Sequence, residues 1–229
     1  MRILVNHLTR MQPGYICVAG IDPATQKHVR PVWYGRLTRD LLASEGGVFA
    51  IGAEVDLGEV EEVGAAPEME DHRFNRWRVR AVGAAAPADY WWQLDKVART
   101  SLHDIFGPAL HAYGNRFAVE RGTGDASLGC LKLSTPPCLT LDAFDKIRLL
   151  FRSGAASISA PVTDLRLYEA DQQTPRRPVI ERLNQRLRHG TPTILAVGLS
   201  RAFGKAPADE PRHWLLVNNL HLEDTPIWN

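Results

Sequence analysis

Two matching segments near the ends of this chain constrain its fold more than any other feature. Ile3-Leu4-Val5-Asn6-His7-Leu8-Thr9-Arg10 is echoed by Ile194-Leu195-Ala196-Val197-Gly198-Leu199-Ser200-Arg201. Each is followed by an apolar run with an aromatic lead, Tyr15-Ile16-Cys17-Val18 in the first case and Trp214-Leu215-Leu216-Val217 in the second. A strand, a Leu-[Thr/Ser]-Arg step, a loop and a returning strand predict a hairpin at both places. The repeat puts one guanidinium at an equivalent spot twice. The stretch from Ile194 to Asn229 is too short for another barrel, so the first copy opens one unit and the second closes another.

Between the hairpins the pattern is mostly that of short strands. Met11-Gln12-Pro13-Gly14 supplies the first turn, with proline presetting φ and glycine permitting φ > 0. Residues 29–34 predict a third strand, confined by Pro31 to an edge or bulge. Residues 35–44 predict a short helix ended by Gly46 and Gly47, and 48–63 a long strand interrupted by glycines. In 77–82, Trp77, Val79 and Ala81 alternate with Arg78 and Arg80, so Arg76, Arg78 and Arg80 should share one face of a strand. Asp89 is placed to cap a helix over 90–106, with Trp91, Leu94, Ala98, Leu102 and Ile105 on one stripe and Gly107 at its end. The second half predicts strands at 130–134, 147–152 and 156–168, a helix over 178–189 closed by Gly190, and strands at 193–199 and 213–222.

Each half thus reads as three strands, a helix and two strands. That is the order of an OB-type unit, a five-stranded Greek-key barrel whose loops bind oligonucleotides. The expected architecture is mainly β with a few helices: an N-terminal barrel over 1–88, a connecting helix and linker over 89–125, and a C-terminal barrel over 126–229.

With 45% hydrophobic residues in 229, the chain can bury a core of that size. Its N-terminal apolar run is too short for a signal peptide, and no stretch reaches the roughly 18 apolar residues of a membrane span. A cytoplasmic protein without membrane contact is therefore expected. Cys17, Cys130 and Cys138 form no CxxC pair, which gives no sign of a disulfide framework or zinc knuckle. The net charge of +1 argues against a nonspecific polycation, but charge is segregated along the chain. Arg2 to Arg39 carries six basic residues against Asp22, Glu45 to Asp71 carries acids alone, and Arg73, Arg76, Arg78 and Arg80 follow directly.

The ILVNHLTR run with YICVAGID, the HVRPV and PEMEDH segments, and GLSR followed by HWLLVNNLHLEDTPIW resemble the dual OB-containing domain family of prokaryotic conflict systems. The resemblance spans nearly the whole chain. It implies tandem OB barrels and a role in recognising nucleic acid within antiviral or mobile-element defence, and it supplies no catalytic residues.

For nucleic-acid binding, cations must track phosphates and flat side chains must stack on bases. Arg10, Arg30, Arg73, Arg78, Arg201 and Lys205 are the candidate cations, and Trp33, Tyr34, Trp77 and Phe203 the candidate stacking groups. Asn218 and Asn219 sit in an otherwise apolar strand, where one must face inward and is available to read a base edge. The expected ligand is single-stranded DNA or RNA, or a nucleotide. A protein-interaction adaptor would instead use Trp91, Trp92 or Trp228. A metal-dependent nuclease would use the acidic run Glu68-Met69-Glu70-Asp71-His72. That run has no companion acid cluster. P-loop, GxSxG and HExxH motifs are missing, so neither a catalytic residue, a cofactor nor a bound metal is expected.

Overall fold

In a computed structural model, which describes residues 1–204 and 210–228, the opening hairpin forms as read. Strands β1 (Arg2–Arg10) and β2 (Tyr15–Ile21) pair antiparallel around a turn in which Gly14 takes φ 87°. The register slips at Asn6, between the pairs Val5↔Gly20 and His7↔Ala19. This bulge turns the Asn6 and His7 side chains, neighbours in sequence, both toward His28.

Six more strands complete the first sheet: β3 (His28–Val32), β4 (Leu37–Thr38), β5 (Ala53–Asp56), β6 (Val60–Glu62), β7 (Asp71–Phe74) and β8 (Arg80–Ala84). The order is β6-β7-β3-β2-β1-β5-β8, with β4 added on β2. Every pairing is antiparallel except β3 with β7, which runs parallel through Arg30↔Asp71, Pro31↔His72 and Val32↔Arg73. The core beneath holds Ile3, Val5, Val18, Phe49, Val55 and Phe74, closed by Tyr90 and Leu94 of helix α1 (Pro87–Val97).

The second half begins with helix α2 (Leu102–Phe106), capped by Ser101, whose Oγ accepts from Asp104 N at 3.1 Å. Its main sheet runs β11-β15-β16-β10-β9, built from β9 (Leu110–Tyr113), β10 (Arg116–Glu120), β11 (Leu128–Lys132), β15 (Thr193–Leu199) and β16 (Arg212–Leu222). A three-stranded sheet follows from β12 (Cys138–Leu141), β13 (Ile147–Ser153) and β14 (Ala156–Pro161). Helix α3 (Arg177–Arg188), started by Pro178, lays Val179, Ile180, Leu183 and Leu187 on the second core. The chain is mainly β, and among the described residues no helix is long and apolar enough to cross a membrane.

Several local expectations give way to tertiary pairing. Residues 35–44 are not a helix: Leu37 pairs with Ile16, and Leu42 is extended and bridges to Phe49, which leaves only 3-10 turns at 39–41 and 43–45. The long strand over 48–63 is cut where Gly52 and Gly58 adopt φ 80° and 73°. The helix over 90–106 is two helices. It starts earlier, at Pro87 rather than behind Asp89, and it breaks because Arg99 leaves it to bond β11, donating to Cys130 O and accepting from Lys132 N. Trp77 and Arg78 lie in a turn before β8, so the alternating arginine face does not form. Likewise β14 stops at Pro161, short of Tyr168. Strands β9 and β10, inside the stretch read as linker, belong to the second sheet. Strands β7 and β12 also carry no clear alternation and were not expected.

Candidate functional site

The two echoed hairpins meet. Both carry a register slip at the same level, at Asn6 on β1 and at Asn218 on β16. Strands β1 and β16 then face each other through side chains in place of a backbone ladder. Asn219 Oδ1 accepts from Leu8 N at 2.7 Å while its Nδ2 donates to Leu8 O at 3.3 Å. Asn218 Nδ2 donates to His7 Nδ1 at 3.1 Å, and His221 Nε2 donates to Asn6 O at 3.1 Å. All these residues are buried, so the amides replace hydrogen bonds that water would otherwise make. Asn218 and Asn219, read as base contacts, are thus committed to this seam.

The turn arginines extend the same exchange. Arg10, on the first half, donates to Gln172 O at 2.8 Å and lies 4.2 Å over the Tyr168 ring, both on the second half. Arg201, on the second half, reaches Glu68 at 2.9 Å and Asp71 at 2.7 Å on the first. Asp71 also bonds Arg30, whose side chain is only 5% exposed. Desolvation works against the Arg201 charge, but Asp71 and Glu68 outweigh it and hold its pKa above the ordinary value. The guanidinium motif that recurs in the sequence is therefore a reciprocal clasp, each half gripping the other.

This clasp also consumes the acidic run. Glu68 holds Arg201, and Asp71 holds Arg30 and Arg201. Glu70 accepts from Ser127 N, Ser127 Oγ and Leu128 N, while His72 Nδ1 bonds Glu70 O. The carboxylates diverge toward separate partners. Among the described residues no group of three or more His, Cys, Asp or Glu is placed to hold a metal ion.

A cleft of about 610 Å³ opens between the halves and is lined by His28, His72 and Cys130 with mixed charges, Lys27, Lys96 and Arg99 against Asp22, Glu62, Glu70, Asp104 and Asp125. Cys130 Sγ lies 3.7 Å from His28 Nε2. Burial pushes the thiol up to about 12 and the imidazole down to about 4, so both are neutral and the pair is no activated nucleophile. Acidic side chains outnumber basic ones five to three in the cleft, and no Phe, Tyr or Trp ring lines it.

Exposed rings and cations come together elsewhere, where the parallel strands β3 and β7 end in step at Val32↔Arg73. Their following loops, 33–36 and 75–79, leave the sheet side by side. Trp33 packs against Phe74 and meets Tyr34 edge-on at 5.2 Å. Tyr34 is 79% exposed with Arg73 at 4.9 Å from its ring, and Trp77 is 79% exposed with Arg76 at 5.0 Å. Asn75 Oδ1 accepts from Trp77 N at 3.0 Å and fixes the turn that lifts the indole out. Arg73 pairs with Glu61 and Arg76 with Asp40. The Thr38 hydroxyl, then Arg76, hold Asp40 below the ordinary carboxylate range. Arg78 adds exposed charge, as does Arg36, which bonds Gln12 and lies 5.3 Å over the Tyr15 ring, so four arginines stand against two carboxylates.

Of the residues read from sequence, the structure gathers Trp33, Tyr34, Arg73, Trp77 and Arg78 on this surface and Arg10, Arg30, Arg201, Asn218 and Asn219 at the seam. Phe203 lies apart on the second sheet, and Lys205 is outside the described residues. Of the tryptophans considered for an adaptor surface, Trp228 is buried under Arg166, Trp91 packs on the first core, and Trp92 is exposed. Arg36 and Arg76 were missed as surface members, although their interleaving with aromatics was visible. No protein-family model matches the chain, and no curated protein matches it.

Proposed function

We propose that this protein is a non-catalytic recognition subunit or sensor that binds single-stranded DNA or RNA, or a nucleotide-like ligand, through the loops after β3 and β7. The observation that carries the reading is the pair of rings, Tyr34 and Trp77, each 79% exposed and each beside an arginine. Exposed large rings have no folding benefit, whereas stacking a base on one contributes about 1–3 kcal/mol. The surrounding arginines supply the phosphate-tracking charge that strand binding needs.

An OB-type plan for the first half accords with the β1-β2-β3 meander, with β1 flanked by β2 and β5, and with the parallel contact of β3 and β7. On this reading the chain works in prokaryotic antiviral defence, as its resemblance to the dual OB-containing family implies. The test is fluorescence anisotropy with labelled oligo-dT and oligo-U across a salt series. Tyr34→Ala with Trp77→Ala should weaken binding by about 1–3 kcal/mol per lost stack. Arg78→Ala should lower the salt slope by about 0.7. Wild-type protein that binds neither strand at low salt, or loop variants that bind as wild type, would overturn the reading.

A further inference from the structure

On the second half, a separate slot of about 120 Å³ lies among Arg116 of β10, Arg148 of β13, Ile158 of β14, Trp214 and Leu215 of β16, and Phe203. Its walls are mainly apolar, and two guanidiniums stand at it. Arg148 is held in place by Ser159, whose Oγ accepts from Nε at 2.8 Å and whose carbonyl oxygen accepts from one terminal nitrogen, which leaves the remaining N–H groups to a ligand. Phe203 is anchored by its backbone, which exchanges hydrogen bonds with Arg212 at 3.1 and 3.2 Å, and the Trp214 indole donates to Phe203 O at 3.3 Å. Its ring nevertheless stays 48% exposed.

Among the described residues neither Arg116 nor Arg148 enters an ion pair, unlike Arg30 and Arg201 at the clasp. Burial and then the charge of Arg116 depress Arg148, with Asp142 offsetting only part. The side chain stays cationic, so two like charges are held at one slot with no carboxylate bound between them. An anion resolves that arrangement, with the Arg116 guanidinium forking onto phosphate oxygens and Arg148 adding its charge and its remaining N–H groups. The volume supplies a second restriction. At about 120 Å³ the slot is smaller than the roughly 150 Å³ cavity that encloses benzene, so it takes at most part of one ring and leaves the rest of a ligand on the surface.

We propose that this slot binds a pyrimidine nucleotide, its ring against Phe203 and the apolar wall and its phosphate on Arg116 and Arg148. The proposal goes beyond strand binding at the β3 and β7 loops, which lie on the other sheet, so either can fail alone. The same chemistry is offered by a free mononucleotide and by the 5′-phosphorylated end of a strand.

Isothermal titration of the whole protein with uridine monophosphate, uridine, inorganic phosphate and 5′-phosphorylated oligo-U tests it. Uridine monophosphate should bind more tightly than uridine or phosphate alone. Arg116→Gln, at an exposed position, should weaken that binding about ten- to hundredfold with the melting temperature unchanged, and Phe203→Ala should weaken it in the same direction. Binding of both phosphorylated ligands supports a free nucleotide as ligand, and binding of the phosphorylated strand alone supports a strand end. Uridine monophosphate and the phosphorylated strand both binding no better than inorganic phosphate, or an Arg116→Gln variant that binds as wild type, would sink the proposal.

Discussion

Arg10 over Tyr168 and Arg73 over Tyr34 are the same two residue types at similar separations, 4.2 and 4.9 Å, yet the Tyr168 side is buried at 4% exposure and Tyr34 is 79% exposed. The partner's origin separates them. At the clasp the arginine and ring come from opposite halves, and closing the halves removes both from water. At the β3 and β7 loops they come from neighbouring strands of one sheet, and nothing closes over them. An arginine beside an aromatic is therefore a fastener in one place and an open surface in the other, with contact geometry alone unable to tell which.

Acid should break the seam before anything else. His7 and His221 are buried and His28 is half-buried, all with pKa values depressed by desolvation, those of His221 and His28 to about 4 from 6.5. Below pH 6.5 the unfolded chain binds more protons than the folded one, so their contribution is complete above that pH and is lost as pH falls toward about 4. The loss should approach about 1.4 kcal/mol per pH unit for each histidine. Urea unfolding across that window measures it, and a His221→Gln variant with an unchanged slope would exclude His221 as a source.

Asp71→Ala should rank next. It leaves Arg30 buried without its carboxylate and frees one arm of Arg201, and removing one partner of a buried pair costs about 3–5 kcal/mol. Calorimetry that found a loss no larger than a surface substitution would deny the clasp its structural role. Asn219→Ala orphans Leu8 N–H and C=O, at about 1–3 kcal/mol for each group. Trp77→Ala should sit at the bottom, within about 0.5 kcal/mol of wild type in stability while strand binding falls. A large stability loss there would make the loop surface a fastener too and erase the contrast.

The hairpins, α3 and the strands at 193–199 and 213–222 were legible because their apolar runs and turn residues agree with their final pairing. Residues 35–44 and 98–101 were misread for one reason: the backbone of Leu37 and of Arg99 is recruited by a distant strand, which local spacing does not encode. Site reading divided in the same way. Trp77 lies beside its sequence neighbour Arg76, whereas Tyr34 meets Arg73 only because β3 and β7 pair. Arg10, Arg201, Asn218 and Asn219 were noticed for the right pattern, but their partners lie across the chain, and Arg116 and Arg148 become neighbours only when β10 and β13 fold to one slot.

The amide of Asn219 against Leu8 also sets the order in which this chain can finish folding. The two residues are 211 positions apart, and Asn6, His7 and Leu8 of β1 all find hydrogen-bond partners on β16. Closing so long a loop is entropically slow, and contacts of large sequence separation lower folding rates. The first strand to be specified is thus among the last to be sealed. Until β16 arrives, the polar edge of β1 stays solvated and the open sheet is the stage most exposed to mispairing.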